Sequence, residues 1–227
     1  MASEWEAPTT ATSAASVPPP VWRGWIHAVA FALAIPIGVA LILLAGPAKA
    51  RTAAAIYAAT LVIGFGTSAA YHRLARSPGW RRWMQRADHS TIYLLIAGTY
   101  TPVCLLVLPP AWGLPVLAVV WTGAIAGVVL KLVAFDRTTI LGWSLYIALG
   151  WTAIAAAPVM VRHLTGLELC LIIAGGVLYT GGSIVLATNR PNPSPRVFGY
   201  HEVWHACTVL AGMCHLASIG LVVVAMS

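Results

Sequence analysis

The sequence predicts an all-α integral membrane protein, a bundle of seven transmembrane helices with a cytoplasmic N-terminus and an extracytoplasmic C-terminus. Three observations carry this. Of the 227 residues, 59% are hydrophobic and 8% are charged, where a soluble domain carries about 25% charged residues. Six acidic side chains do not cover the surface of a soluble globule, so lipid is the solvent for most of it. Apolar runs near the length that crosses a bilayer, about 20 residues, recur along the chain, and Lys and Arg divide unevenly between the segments that join them.

Residues 1–20 carry Glu4 and Glu6 but no Lys or Arg, and end in Pro18-Pro19-Pro20 after an Ala/Thr/Ser/Pro-rich stretch. That is the composition of a disordered tail, not of a cleavable signal peptide. The transmembrane domain takes residues 21–227. Its spans are expected at 26–45, 53–72, 87–107, 112–133, 138–158, 165–187 and 200–226. Turn chemistry separates them: Gly46-Pro47, Ser77-Pro78-Gly79, Pro109-Pro110, Phe135-Asp136-Arg137 and Pro191-Asn192-Pro193-Ser194-Pro195. The fourth and fifth spans have the least distinct boundary. Gly175, Gly176, Gly181 and Gly182 permit close helix packing in the sixth. Cys104, Cys170, Cys207 and Cys214 all lie in apolar spans without a Cys-x-x-Cys pair, the pattern of buried free thiols.

Orientation follows from the cations. With the N-terminus inside, the inner segments hold Arg23, Arg73, Arg76, Arg81, Arg82, Arg86, Lys131, Arg137, Arg190 and Arg196; the outer ones hold Lys49, Arg51 and Arg162. Ten against three favours a cytoplasmic N-terminus. The net charge of +7 is then topogenic charge that also attracts anionic lipid head groups, not a nucleic-acid surface.

Ionisable groups in or beside a bilayer are costly and mark function. His72 ends the second span, Asp88 begins the third, and His201 and His205 begin the seventh. The alternation of spans puts all four at similar depth near the cytoplasmic face. His201 and His205, four residues apart, share one helix face and can grip one metal ion. His72 adds a third imidazole at that depth, and three histidines with one open position is the usual layout of catalytic zinc. Ser68 lies one turn before His72 on the same face. Blander readings exist for each residue. Asp88 would sit favourably at a helix N-terminus, and Ser68 would bond a carbonyl one turn back. His89 points about 100° away from Asp88 on a helix and reads as interfacial, as do His27 and His163 at span ends. His215 lies about 15 Å deeper than His205 by helix rise and would bond another helix.

His201-Glu202-Val203-Trp204-His205 also matches the H-E-x-x-H metalloprotease signature, in which Glu is the general base. The motif opens the last helix, so only the rest of that helix remains downstream to donate a third ligand, while His72 already offers one upstream. An intramembrane metalloprotease is therefore a low-ranked alternative, and Glu202 is left as a supporting group.

Three blocks carry a family resemblance: Ser68-Ala69-Ala70-Tyr71-His72; Asp88-His89-Ser90-Thr91-Ile92, continuing to Gly98-Thr99-Tyr100-Thr101-Pro102; and Phe198-Gly199-Tyr200-His201-Glu202-Val203-Trp204-His205. In this order, on the second, third and seventh helices, they resemble the haemolysin III family. That family is related to the progestin and adipoQ receptors, which include the adiponectin receptors, and to the alkaline ceramidase superfamily. The resemblance covers nearly all of the chain after residue 20. It implies that His72, His201 and His205 bind Zn²⁺, that Asp88 lies next to the metal-bound water, and that Ser68 is the family serine. The adiponectin receptors carry long terminal extensions; the short tail here implies no hormone-binding domain.

The expectation is thus a haemolysin III type protein of the cell membrane, with a Zn²⁺ site near the cytoplasmic face. It would hydrolyse lipid amides or esters in ceramidase-like fashion, with Asp88 and Ser68 as the catalytic residues. Its partners would be membrane lipids, a lipid amide or fatty acid among them. The alternative is a non-enzymatic receptor or sensor of membrane lipid state with a structural zinc. A pore-forming haemolysin ranks lowest, because no span carries a repeating polar stripe to line a channel. The topology has a direct check: a reporter fused after Ser227 is expected to be active only outside the cytoplasm, and a cytoplasmic signal would invert the orientation.

Overall fold

The computed structural model describes residues 19–135 and 139–226. Nearly all of the expected tail, and Asp136 and Arg137 of the expected turn between the fourth and fifth spans, lie outside the described residues. The elements are α1 (Trp25–Leu44), α2 (Ala48–Leu74), α3 (Pro78–Pro102, with a π-helical turn at Val103–Val107), α4 (Pro110–Val133), α5 (Thr139–Gly150), α6 (Ala153–His163), α7 (Gly166–Thr188) and α8 (Tyr200–Val224). They make seven spans long and apolar enough to cross a membrane, because α5 and α6 together form the fifth, Leu141–His163. The protein is therefore an all-α, multi-pass membrane protein.

Exposed apolar side chains such as Leu43, Val119, Val133, Ile154 and Val177 cover the outside, as expected of a surface solvated by lipid. The inside is packed with small residues and a few aromatic rings. Ala30, Ala34, Ala50, Ala54 and Tyr57 join Ile219 and Val223 in one cluster that ties α1 and α2 to α8. Tyr93, Ala97, Val120, Ala124 and Leu149 form the second, between α3, α4 and the fifth span. The helices pack in order around the bundle, and the ring closes where α8 meets α1.

Two departures from the expected spans have physical causes. The third helix starts at Pro78, nine residues before the apolar run, because Ser77 caps it by accepting the Trp80 N–H at 3.3 Å and Pro78 suits the first turn. The fifth span is broken at Gly150–Thr152. Gly is a poor helix former, and lipid cannot satisfy the backbone groups that a break frees. One hydroxyl from α3 satisfies both sides: Tyr100 donates to the Gly150 carbonyl at 2.7 Å and accepts the Ala153 N–H at 2.7 Å.

Lys131, counted above among the cytoplasmic surface cations, is buried in the last turn of α4. Its ammonium lies 5.2 Å from the Phe135 ring centroid and 5.9 Å from that of Tyr146. It is a cation held over aromatic faces.

The contact between α2 and α3 sets the spacing of the second and third spans. A Cβ at Gly98 of α3 would overlap the Thr60 side chain of α2. Gly98→Val is expected to lower the thermal midpoint in nanodiscs, at a cost of about 1–3 kcal/mol from overpacking; an unchanged midpoint would show that the two helices separate freely there.

Candidate metal centre

Three helix ends meet at the face of the bundle where α1 begins. The last two turns of α2 carry Ser68 and His72. The first turns of α8 carry His201 and His205, and their direction is fixed by how that helix starts. Glu202 reaches back so that its Oε2 accepts the Gly199 N–H at 2.8 Å, and Asn192 Oδ1 accepts the Tyr200 N–H at 3.1 Å. Both bonds use backbone donors that a helix start leaves unpaired.

His72 Nε2 and His201 Nε2 face each other at 3.2 Å. The His205 ring lies 4.9 Å from that of His72 and 4.5 Å from that of His201, centroid to centroid. One ring nitrogen from each of the three histidines lies within 4.8 Å of the others, close enough to hold a single metal ion. His205 is fully buried and the other two are half-buried. Asp88 Oδ2 stands 4.0 Å from His72 Nε2, beside this set. Ser68 is buried and lies beside the Asp88 carboxyl. The structure thus brings together all five residues singled out from the sequence.

Two of the sequence readings change, those of Asp88 and His27. Asp88 does not open its helix: α3 has already run ten residues by then, so the favourable field of a helix N-terminus, confined to the first turn, does not explain it. His89 packs edge-on against Phe135 at 5.1 Å, with Nδ1 buried and unpaired among the described residues. Glu202 is fully buried, with Arg23 Nε on Oε1 and the Gly199 N–H on Oε2. Both oxygens therefore already hold a partner within the protein, which matches the supporting role expected of Glu202 and not that of a base. His27, read as an interfacial side chain, is buried inside the cluster. Its ring stacks on His205 at 3.9 Å and 2°, and its Nε2 lies 3.0 Å from Thr208 Oγ1. The two remaining histidines behave as expected. His163 is exposed, and His215 Nε2 donates to the Ile172 carbonyl of α7 at 3.2 Å.

The segment before α1 lies against the same end of the cluster. The Val21 N–H donates to the Arg196 carbonyl at 3.1 Å, and the Trp22 N–H to that of Val197 at 3.2 Å. The Arg73 guanidinium sits 4.2 Å from the Trp25 ring. Gly24, at φ 80, is left-handed, and a Cβ there would overlap His72 Cβ. Only glycine satisfies the backbone and the close approach together. His27 and Arg23 are the residues that sequence reasoning missed. The signal for His27 was present: the same alternation of spans that aligns His72 with His205 puts the start of the first helix at that depth.

Fold and site together define a class, polytopic membrane proteins with a histidine cluster between helices at one face of the bundle. The chain belongs to the haemolysin III family: the family model described as haemolysin-III related matches residues 16–216. "Hemolysin-3" of Bacillus cereus is 34% identical over 182 residues, 79% of this chain and 80% of that protein. "Hemolysin-3 homolog" of Bacillus subtilis (strain 168) is 30% identical over 183 residues, 79% and 83% of the two.

The cluster makes an expectation about stoichiometry. Purified protein equilibrated with metal and desalted should hold about one ion per chain by elemental analysis, as three-ligand sites do. Ala at His72, His201 or His205 should each abolish or severely weaken retention, while Ala at His163 or His215 should not. Retention after loss of His72 but not after loss of His215 would mean a different ligand set.

Proposed function

We propose that the protein is a zinc-dependent hydrolase of lipid amides or esters in the cell membrane, with its histidine cluster towards the cytoplasm. The observation that carries this reading is the convergence of His72, His201 and His205, with Asp88 Oδ2 4.0 Å from His72 Nε2. In a tetrahedral zinc site with metal–nitrogen distances of 2.0–2.1 Å, neighbouring ligand nitrogens stand about 3.3 Å apart. The 3.2 Å between His72 Nε2 and His201 Nε2 matches such an edge. Two imidazole nitrogens that face each other also need a proton or a cation between them, since two bare lone pairs repel. One ring nitrogen from each of the three histidines lies within 4.8 Å of the others, and three imidazoles are a donor set that suits zinc.

Bound zinc would supply a Lewis acid that polarises a carbonyl and brings the pKa of water towards about 7. The protein's own groups would do the rest. Asp88 Oδ2, 4.0 Å from His72 Nε2, would take a proton from water lying between it and the imidazoles and return it to the leaving group. The Ser68 hydroxyl, beside Asp88, would turn its single hydrogen from the carboxylate, once that has taken the proton, to the developing oxyanion. The segment Val21–Trp25 crowds the polar end of the site, while the spans face hydrocarbon. That supports a substrate drawn from the membrane, a lipid amide or ester, with a fatty acid among the products. In the alternative reading, a non-enzymatic lipid sensor, the same zinc would brace α2 against α8.

Asp88→Asn separates the two. It keeps shape and hydrogen bonding but removes the base. For a hydrolase, zinc content should hold while fatty acid release from ceramide-like amides, followed by mass spectrometry, falls by about 10²–10⁴-fold. Equal release from both proteins would take Asp88 out of the mechanism, and no release by zinc-loaded wild type across lipid classes would favour the sensor.

A further inference from the structure

We infer that His27 is a fourth working histidine of the metal centre, a positioning residue that holds the His205 ring in its coordinating orientation. The inference rests on the metal reading above and goes beyond its ligand set. Its basis is a closed loop of contacts. Thr208 donates its single hydroxyl hydrogen to the His205 carbonyl at 2.8 Å, because a carbonyl only accepts. In the 3.0 Å contact between Thr208 Oγ1 and His27 Nε2, the imidazole must therefore be the donor. His27 carries its hydrogen on Nε2, and Nδ1 is left as a bare lone pair, buried and without a partner among the described residues. Proton bookkeeping thus fixes one tautomer and one ring orientation.

In that orientation the ring lies flat on His205, 3.9 Å between centroids and 2° from parallel, and Phe65 packs against it at 5.2 Å. The stack has two consequences for a coordinating imidazole. It restricts rotation of the His205 ring about its own bonds, so less freedom is lost when an ion binds. It also sets a neutral, electron-rich face against a ring that becomes electron-poor when its nitrogen donates to a cation, a favourable electrostatic pairing. A ligand's orientation is more often fixed by a hydrogen bond to its second ring nitrogen; the stacked His27 ring, itself held by the Thr208 hydroxyl, adds a restraint of another kind.

The test compares wild type with His27→Ala and His27→Phe, the second keeping a flat ring without polar atoms. Cobalt(II) titrated into the metal-free proteins in nanodiscs reports affinity and ligand geometry through its visible absorption. His27→Ala should bind about 10–100-fold more weakly, the usual cost of losing a residue that orients a ligand, with an altered band shape. His27→Phe should recover most of the affinity and the wild-type band shape. Wild-type affinity in His27→Ala, or a His27→Phe protein as impaired as His27→Ala, would overturn the inference. Nitrogen NMR of the metal-free proteins, labelled at histidine, keeps this separate from the metal reading. The His205 ring resonances should broaden or move in His27→Ala and be restored in His27→Phe, whether or not wild type binds cobalt; unchanged resonances in His27→Ala would also overturn it. A wild type that binds no cobalt, with the His205 resonances behaving as expected, would sink the metal reading and leave His27 as the residue that orients His205.

Discussion

Hydrocarbon offers a side chain no hydrogen bond, so the polar groups within the spans turn to partners inside the bundle. Many bond a carbonyl one turn back on their own helix, as Thr99, Thr101 and Thr180 do; others bond the backbone of another helix. Tyr93 donates to the Gly142 carbonyl at 3.0 Å, Tyr146 to that of His89 at 2.9 Å, and Ser218 to that of Glu168 at 3.1 Å. The Tyr100 hydroxyl serves both sides of the break between α5 and α6. These bonds tie α3 to the fifth span and α7 to α8, and the apolar packing fits around them.

Against that background the histidine cluster stands apart. His72, His201 and His205 point nitrogens at one another, not at backbone carbonyls. The surrounding protein is organised to keep them so. Glu202 closes the start of α8 and anchors Arg23, the segment Val21–Trp25 lies over the α2 end of the cluster, and Gly24 has no side chain to push His72 away. With such support, one ring nitrogen of each of the three imidazoles stays close enough to the others to hold a single ion.

The same economy explains why the H-E-x-x-H pattern is misleading. Its two histidines belong to the cluster, but its glutamate is consumed in capping the helix and holding Arg23. A motif states only that residues share a helix face. Whether a carboxylate is a base or a cap depends on what the neighbouring segments bring to it, and here Arg23 comes from the other end of the chain.

The sequence by itself determined the class, the positions of the spans and the five residues that meet at the site. Hydrophobicity summed over about 20 residues is a local property, and the alternation of spans converts position along the chain into depth. Depth is all that this argument supplies. Which neighbour a residue faces at that depth depends on how the helices pack sideways, and only the tertiary structure decided that. It set His27 on His205 and Lys131 over the Phe135 and Tyr146 rings. It supplied the Tyr100 hydroxyl that stitches the break in the fifth span. The long start of α3 lay partly in the sequence, in the cap at Ser77 and Pro78, but a search for apolar runs passes over a polar helical extension. Lateral packing rests on contacts between residues far apart in the chain, such as the 181 positions between His27 and Thr208, and no periodicity along the chain records them.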